Sequence, residues 1–453
     1  MQMDPPRRLE SDGEHSGERR SLHRGESRSL HRGESRSERR ARHKVRRRAR
    51  RHERRALRRQ RRTIFGRHPF ATGSLVVFLA MGPVWWSLGS SLANANTLPL
   101  PVQFVEWVRS HGGGSFVRFA ENVWYSHNPP PVGGRPPKGA IPRPPAHPVE
   151  IPRQVVLPHL ALPAPIAPIA NPPLPGEGQW HPVGRTVDGM PTMEEAFLRP
   201  DPVHTSLVAG VVWMDPLLLA GRYYAGAQVP DVGGPWSPKA PISPNAATTL
   251  SAVMNLGFRT HASEGGFYLD GRTAIPLRQG AASFVLYADG TATVGAWGRN
   301  VTMTPQVVAV RQNLSLLVDH GAPVPNLNAN DTTVWGATLG NQIYVWRSGI
   351  GVTANGALVY VGGPGLNITT LANLLVRAGA VRAMELDINT DWVNFFSFSL
   401  PPGVAASPAN GSKLLPDMVR PVGRYFGPTN RDFLTMSARA APLSTPPDAA
   451  PPG

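Results

Sequence analysis

The chain of 453 residues contains no cysteine. This absence excludes a disulfide framework, a thiolate metal site and a cysteine nucleophile. Any folded domain must therefore be stabilised by an ordinary apolar core. We expect no cofactor. We also expect no metal site, because His204, His261 and His320 are scattered along the chain, although a Ca²⁺ site made of carboxylates stays open.

Net positive charge is scarce outside the first 68 residues. Those residues hold 24 Lys and Arg against 9 Asp and Glu, which leaves 23 against 21 for the rest of the chain. Nucleic-acid binding by the folded part therefore gains no support from the high isoelectric point. Residues 1–68 have too few apolar side chains to form a core, so they are expected to be a disordered, Arg-rich cytoplasmic head. The head would either bind anionic lipid head groups or nucleic acid, with lipid favoured, or be a solvated topogenic tail.

Charge is absent between His68 and Glu106. The apolar stretch Phe70–Leu92 has the length that a tilted helix needs to cross a bilayer, so residues 69–95 are predicted to be a single transmembrane anchor. The arginine excess before it predicts a cytoplasmic N-terminus and an extracytoplasmic C-terminal domain in the cell membrane. A small-x-small pattern ending at Ala95 leaves cleavage of the anchor open.

Two further segments separate the anchor from the globular part. Residues 96–128 are predicted to be a juxtamembrane amphipathic segment. In residues 129–175, 17 of 47 positions are proline, which excludes a regular helix or a central strand. As polyproline II, at about 3.1 Å per residue, this stalk would reach up to roughly 145 Å and lift the domain off the membrane.

Residues 176–440 form the predicted domain, followed by a flexible tail at 441–453. Two hairpins are expected, one turning at Asp289-Gly290 and one at Asn355-Gly356. A helix capped by Thr369 or Thr370 should follow, with leucines at helical spacing and Gly379 at its stop. This order predicts an α+β fold with a mixed, mainly antiparallel sheet and flanking helices.

The strand after Gly379 carries the chemistry. Alternation would place Met384, Leu386 and Ile388 in the core and put two carboxylates and an amide on the opposite face, namely Glu385, Asp387 and Asn389. Such groups act as acid, base or nucleophile in sugar chemistry. Polar residues of this kind also occupy the solvent-exposed face of any half-exposed strand.

The order of several motifs resembles the phosphodiester glycosidase domain family over about residues 205–400. The matching segments are Arg347–Thr353, the Asn-Gly turn, the leucine-rich helix, Ala383–Asp387, Ala252–Phe258 and Gln312–Val318. The chain departs from the family pattern at Leu256, which replaces a glycine, and at Ile388-Asn389, which replace glycines and a serine.

The resemblance implies hydrolysis of a sugar phosphodiester at the anomeric carbon. A phosphate leaving group needs charge neutralisation, and the planar fork of arginine suits that task. The implied catalytic residues are Asp387, Glu385 and Arg347, and the implied substrate-binding residues are Asn255, Gly257, Ser348, Asn389 and Trp392. Each also has a plain structural alternative, such as a surface ion pair or a core position.

The expected function is thus that of a membrane-anchored extracytoplasmic hydrolase acting on a glycosyl phosphate bond, in a cell-envelope glycopolymer. The alternative is a catalytically inactive domain that binds or scaffolds the envelope glycopolymer, which Leu256 and Ile388 favour. A third hypothesis gives the main function to the basic head, with the exported domain as a sensor.

Overall fold

A computed structural model describes residues 129–142 and 158–443, apart from 231–233, 326, 332–333, 337–341 and 389, together with short pieces between residues 44 and 111. The chain divides into two compact units, Met1–Pro83 and Val84–Gly453. Residues 44–45 and 47–54 are helical. Most of the predicted head, most of the juxtamembrane segment and most of the tail lie outside the described residues, so their character stays a prediction.

The predicted anchor is only partly described. Helix α1, Gly82–Asn94, contains 13 residues. Within the part of the chain that the structure describes, no helix is long and apolar enough to cross a membrane. Most of residues 69–81 and residue Ala95 lie outside that part.

Antiparallel strands dominate the larger unit. The other helices in the described residues are the short α2 (Pro244–Ala247) and α3 (Thr260–Ser263), α4 (Ile368–Arg377) and a 3-10 turn at Val422–Phe426. The strands are β1 His181–Val187, β2 Met190–Leu198, β3 Ala209–Met214, β4 Leu219–Tyr224, β5 Leu250–Asn255, β6 Phe267–Leu269, β7 Arg272–Ile275, β8 Ala282–Tyr287, β9 Ala292–Ala296, β10 Val307–Gln312, β11 Leu316–Asp319, β12 Ala322–Pro323, β13 Val345–Thr353, β14 Leu358–Leu366, β15 Ala380–Glu385, β16 Phe395–Ser397, β17 Ser412–Lys413 and β18 Phe433–Ala438.

These strands form three sheets. The first sheet has eight strands in the order β1-β2-β3-β14-β13-β15-β11-β12, the second has the order β7-β6-β10-β8-β9, and the third has the order β17-β16-β5-β18-β4. Every pairing between these strands is antiparallel. The predicted α+β class with mainly antiparallel sheets is therefore confirmed, with few helices.

Two large apolar clusters, called here the central core and the second core, pack against the two faces of the first sheet. The central core takes residues from all three sheets, including Met384 and Leu386. The second core lies on the other face of the first sheet, where α4 buries Leu371, Leu374 and Leu375. The central strands of the first sheet are thus covered on both faces, so polar residues such as Arg347 and Glu385 are removed from water.

The structure contains the turns and the helix end that short sequence motifs predicted. The β8–β9 and β13–β14 hairpins form at the expected places, and their turn residues Gly290 and Gly356 have φ of 81° and 87°. Gly379, with φ of 94°, ends α4 as predicted. The predicted cap is wrong, because the side chain of Asn367 accepts the hydrogen bond from the Thr370 amide at 2.7 Å and starts the helix earlier.

The described pieces of the Pro-rich segment lie against the domain. The amide of Leu160 donates to Asp215 Oδ2 at 2.8 Å, and the amide of Ile166 donates to the Gly178 carbonyl at 2.8 Å. Leu160 and Ile166 are buried in the second core. These contacts hold Leu160 and Ile166 against the domain, whereas residues 143–157 lie outside the described residues, so the role of residues 129–175 as a stalk stays a prediction.

Candidate active site

A β-bulge at the end of β15 sets the direction of the two predicted carboxylates. Ser348 faces two residues, because its amide donates to the Asp387 carbonyl at 2.9 Å while its own carbonyl accepts from the Leu386 amide at 2.8 Å. A bulge of this kind inserts one residue and re-aims the side chains that follow. Asp387 consequently shares the central-core side with Leu386, and Glu385 stays on the α4 side. The predicted strict alternation is wrong at this point.

Glu385 forms an ion pair with Arg347 on the α4 side of the first sheet, and its second oxygen, Oε2, has no hydrogen-bond partner among the described residues. Arg347 Nη1 donates to Glu385 Oε1 at 2.5 Å. The same guanidinium donates to the carbonyls of Trp335 and Leu366, each at 3.1 Å, and of Ile343 at 3.4 Å. The hydrogen-bonding capacity of Arg347 is thus largely used within the fold.

Asp387 has a different set of partners. Arg431 Nη2 donates to Asp387 Oδ2 at 2.8 Å, and Asn255 Nδ2 donates to the same oxygen at 3.2 Å. The Ile388 amide donates to Oδ1 at 2.9 Å. Asn255 ends β5 and Arg431 precedes β18, so the pairing of these two strands brings both side chains to the carboxylate.

Three guanidinium groups surround the Trp392 ring. The guanidinium carbons of Arg431, Arg424 and Arg420 lie 4.4, 4.5 and 4.9 Å from its centre. Such cation–π contacts are favourable for arginine where water is excluded. Trp392 therefore joins the site as the platform of an arginine cluster, defined here as Arg420, Arg424 and Arg431.

Sequence reasoning missed this cluster completely. All three arginines follow residue 400, beyond the segment of family resemblance, and they lie in irregular chain and a 3-10 turn. No spacing rule links them to Asp387.

Further polar residues complete the floor of the site. Arg431 also donates to the Gly257 carbonyl, and Asn313 Nδ2 donates to the carbonyls of Glu385 at 2.6 Å and Leu386 at 3.1 Å. The amide oxygens of Asn255 and Asn313 find no hydrogen-bond partner among the described residues. Two acceptors are thus available beside Asp387.

A neighbouring buried network holds this floor in place. Arg311 Nε donates to Asp432 Oδ2 at 2.8 Å, and the Tyr223 hydroxyl donates to the same oxygen. Arg311 also donates to the Phe258 carbonyl. The chain on either side of Gly257 and Arg431 is therefore tied to the second and third sheets.

Burial raises the pKa of both carboxyl groups above the ordinary values. Burial raises the pKa of Glu385 to about 7, although Arg347 opposes the shift. Burial also raises the pKa of Asp387, with Arg431 opposing it. Desolvation without full compensation is typical of groups that take part in proton transfer, and also of some structural ion pairs.

The structure therefore brings together only part of the predicted set. Asn255, Gly257, Asp387 and Trp392 converge, whereas Arg347 and Glu385 form their own pair. The Ser348 hydroxyl contacts the backbone of Asp387, at 3.3 Å from both its carbonyl and its amide. Residue 389 lies outside the described residues. Leu256 is buried in the central core, so this departure from the family pattern does not place a side chain beside the carboxylate.

The site is nearly closed to solvent. Asp387 and Arg431 are each 3% exposed and Asn255 is 2% exposed. Gly336 lies against Phe258 and Ile388, where an added Cβ would meet both side chains at 2.8 Å.

Among the described residues, no group of three or more His, Asp or Glu side chains is placed to hold a metal ion.

One known protein family matches the segment of the chain that contains Asn255, Asn313 and Asp387. The family model described as phosphodiester glycosidase matches residues 248–387, which include Asn255, Asn313 and Asp387. The resemblance found in the sequence is confirmed over this segment, and it supports a hydrolase of the phosphodiester glycosidase type. A comparison with curated proteins gives no match.

Solved structures resemble the chain weakly. The zebrafish N-acetylglucosamine-1-phosphodiester alpha-N-acetylglucosaminidase catalytic domain, auto-inhibited by its pro-peptide, is 15% identical with a TM-score of 0.34 and covers 58% of this chain and 88% of its own. A hypothetical protein from Synechocystis is 13% identical with a TM-score of 0.31, covering 57% and 64%. A putative exported protein from Burkholderia pseudomallei is 14% identical with a TM-score of 0.30, covering 52% and 75%. Similarities at this level carry no inference about activity.

Proposed function

We propose that this domain hydrolyses a glycosyl phosphodiester at the anomeric carbon of the sugar. One observation carries the proposal: Asp387 is held by Arg431 at 2.8 Å, and Arg431 shares the Trp392 ring with two more buried guanidinium groups. A carboxylate beside concentrated positive charge is what separation of a sugar from a phosphate requires.

The arginine cluster provides the phosphate side of the site. Nε of Arg424 and Nε of Arg431 have no hydrogen-bond partner among the described residues. Guanidinium groups remain charged and donate in a planar fork that matches phosphate oxygens. Since the phosphate departs with negative charge, these donors stabilise the leaving group without a strong general acid.

Asn255 and Asn313 provide the sugar side. Their unpartnered amide oxygens accept hydrogen bonds from sugar hydroxyl groups, and both side chains are fixed by the bonds that their amide nitrogens donate. A site built to bond specific hydroxyls rejects ligands that lack them, because its buried acceptors would be left unpaired. The sugar is therefore oriented with its anomeric carbon toward Asp387.

Asp387 acts on that carbon as nucleophile, as base for water, or as stabiliser of the oxocarbenium-like transition state. In each case the bond between the anomeric carbon and the phosphate oxygen breaks, water supplies the hydroxyl of the released sugar, and the phosphate leaves as a monoester. Since Asp387 is 3% exposed, turnover also requires the residues that cover it to move.

The cellular setting is a further part of the proposal. The arginine-rich head, the charge-free residues 69–105 and the domain after them support a single-pass protein with its N-terminus in the cytoplasm and the domain outside. A membrane-tethered hydrolase in that position would act on a cell-envelope glycopolymer that contains sugar phosphates, and its head would contact anionic lipid.

The test offers the full chain methyl phosphodiesters of glucose 1-phosphate and N-acetylglucosamine 1-phosphate and measures sugar release. Asp387→Asn keeps the shape of the side chain but removes the charge, and is expected to lower kcat on the order of 10³-fold or more. Arg377→Ala on α4, an exposed arginine outside the site, is the matched control and should keep full activity.

Two outcomes would overturn the assignment. Equal rates of sugar release from the wild type and Asp387→Asn would remove the carboxylate from the mechanism. A wild type that binds these phosphodiesters without releasing sugar would establish the alternative, an inactive glycopolymer-binding domain.

A further inference from the structure

The chain that follows Asp387 also carries Trp392, so its path sets the distance between the carboxylate and the platform of the arginine cluster. This path ends at Asn394, directly before β16. Asn394 is 1% exposed. Because an amide buried without hydrogen bonds destabilises a fold, the bonds that Asn394 makes indicate what it holds in place.

Asn394 joins three neighbours through three different atoms. Its Nδ2 donates to the Trp392 carbonyl at 2.9 Å, and its Oδ1 accepts from the Tyr425 hydroxyl at 2.7 Å. Its backbone carbonyl accepts from the Tyr360 hydroxyl at 3.4 Å. The Trp392 carbonyl can only accept, which fixes Nδ2 toward Trp392 and Oδ1 toward Tyr425. Neither an ionised aspartate nor a leucine could make both side-chain bonds.

Tyr425 links this amide to the arginine cluster. It follows Arg424 in the 3-10 turn Val422–Phe426, and the Arg424 guanidinium carbon lies 5.2 Å from the centre of the Tyr425 ring. Burial raises the pKa of Tyr425, and Arg424 and Asn394 oppose the shift. The ring packs on Phe433 with the centres 4.4 Å apart. The hydroxyl is therefore held at a fixed position between Asn394 and Arg424.

Arg424 differs from the other two members of the cluster. Arg431 pairs with Asp387 at 2.8 Å, and Arg420 pairs with Asp391 at 3.6 Å. Arg424 is 2% exposed, and within the described residues it forms no ion pair and its Nε has no hydrogen-bond partner. A buried cation without an acid destabilises a fold, and a ligand phosphate would supply the missing charge.

We infer that Asn394 is a positioning residue, which holds the Trp392 platform and Arg424 in the arrangement that binds the phosphate of the substrate. It acts through its two side-chain bonds, one to Trp392 and one to Tyr425. The inference deepens the proposed function and rests on it for the identity of the ligand. Loss of either bond leaves the partners of Asp387 in place, so the property that changes is the alignment of the phosphate with the carboxylate.

The first experiment measures binding by titration calorimetry, with the full chain carrying Asp387→Asn and the methyl phosphodiesters of glucose 1-phosphate and N-acetylglucosamine 1-phosphate as probes. Tyr425→Phe removes only a hydroxyl group and should raise the Kd of the bound diester about tenfold. Tyr224→Phe is the matched control and should leave Kd unchanged. Tyr224 is also buried and packs on Phe433 at 4.8 Å, but its hydroxyl forms no hydrogen bond within the described residues.

A second substitution separates positioning from stability. Asn394→Leu leaves the Tyr425 hydroxyl buried without its acceptor, so it should lower both the free energy of unfolding and the affinity for the diester. Tyr425→Phe added to Asn394→Leu removes that hydroxyl and should recover part of the lost stability. The Kd should stay raised by about tenfold or more. A residue with a merely structural role would recover affinity together with stability.

Sugar release provides a readout that stability does not change. The phosphate gains negative charge as it leaves, so a displaced Arg424 should matter more for a poorer leaving group. Tyr425→Phe in the otherwise unchanged chain should therefore lower kcat/KM about tenfold for the methyl phosphodiester. The decrease should be smaller for the 4-nitrophenyl phosphodiester of the same sugar.

The outcomes separate this inference from the proposed function. If the wild type releases sugar, and Tyr425→Phe and Asn394→Leu keep its Kd and kcat/KM, the positioning role is wrong and the proposed function stands. If diester binding depends on Tyr425 but the wild type releases no sugar, the hydrolysis is wrong and the positioning role stands. Equal losses of affinity in Tyr224→Phe and Tyr425→Phe, or no binding of either diester at about 10 mM, would overturn the inference.

Discussion

The two sides of the first sheet handle buried charge differently. On the α4 side, Arg347 and Glu385 meet at 2.5 Å, and backbone carbonyls take most of the remaining donors of the guanidinium. On the central side, Asp387 and Arg431 meet at 2.8 Å, but Arg431 Nε and the Asn255 amide oxygen have no partner among the described residues. Beside Arg347 one buried oxygen, Glu385 Oε2, has no partner among the described residues, whereas both oxygens of Asp387 are bonded and the unpartnered groups lie on its neighbours.

The two pairs differ in how many unpartnered groups surround them: donors and acceptors from several residues converge around Asp387, as a binding site requires, whereas Glu385 Oε2 is the unpartnered atom of the Arg347–Glu385 pair among the described residues. A buried ion pair is tolerated when its geometry is good and its other hydrogen-bonding groups are satisfied, and it adds little stability beyond an apolar substitute. A group that stays unsatisfied at a cost to the fold is better explained by a ligand. Sequence spacing predicted Glu385 and Asp387 as one catalytic couple, whereas the bulge at Leu386 and Asp387 gives each its own arginine.

The largest expected effects come from replacing Arg347 and Arg431, one at a time. Arg347→Met leaves Glu385 buried without its cation, so the free energy of unfolding should fall by about 3–5 kcal/mol. Arg431→Met likewise leaves Asp387 buried without its cation, so it should lower the free energy of unfolding by a similar amount. It should also lower kcat on the order of 10²-fold. Denaturant unfolding of the full chain and sugar release from the methyl phosphodiesters measure the two effects.

A second substitution sharpens the contrast between the two pairs. Glu385→Leu added to Arg347→Met removes both charges, and should recover most of the lost stability because two apolar side chains can replace an ion pair. Asp387→Leu added to Arg431→Met should recover stability without activity. Loss of all activity in the Arg347→Met, Glu385→Leu protein, despite recovered stability, would place that pair in the chemistry and remove the distinction.

A smaller effect is expected at Ser348, which lies between the two pairs. Its hydroxyl contacts the Asp387 carbonyl and amide at 3.3 Å, so it fixes the bulge that aims the carboxylate. Ser348→Ala should lower the free energy of unfolding by about 1 kcal/mol and lower kcat about tenfold with little change in KM, since displacement of a reacting group affects the transition state.

Two comparisons decide whether this role is positional. Ser348→Thr keeps the hydroxyl and should restore most of the rate. Ser251→Ala is the matched control, because Ser251 is also buried and its hydroxyl accepts from the Arg185 amide. If Ser251→Ala lowers kcat as much as Ser348→Ala, the effect is one of stability alone.

Local chemistry explains which parts of the fold were predictable. The hairpins at Asp289-Gly290 and Asn355-Gly356 need only turn residues with positive φ, and Gly379 needs only to end a helix. The helix cap was misassigned because Asn367, Thr369 and Thr370 are all good cap residues within four positions. Sequence patterns of a few residues thus predicted the hairpins and the helix, but not the residue at which the helix begins.

The site was less predictable for two physical reasons. A bulge inserts one residue into the alternation, and nothing in the residues Ala-Met-Glu-Leu-Asp indicates where it falls. The partner of Asp387 is 44 positions away and reaches it only because β5 and β18 pair in the third sheet. Strand alternation had already singled out Asp387, whereas Asn255 was found through family resemblance, which supplied the long-range contact that periodicity lacks.

The smallest effect concerns a half-buried carboxyl group, Glu195, which has no arginine partner among the described residues. Glu195 on β2 lies opposite His181 and forms no hydrogen bond or ion pair within the described residues. Burial raises its pKa to about 7. Since the folded pKa exceeds the unfolded value, its stabilising contribution is complete below about pH 4.5 and is lost as the pH rises through about 7.

The free energy of unfolding should therefore fall between about pH 5 and 8, and Glu195→Gln should flatten that fall by about 1–2 kcal/mol after allowance for solvent screening. Denaturant titrations of the full chain at several pH values measure it. Glu264→Gln is the control, because the side chain of Glu264 is 80% exposed. An unchanged slope in Glu195→Gln would mean that this carboxyl is already ionised in the fold. A half-buried carboxylate in this sheet would then be ionised without a guanidinium, and the contrast with Glu385 and Asp387 would depend on their deeper burial.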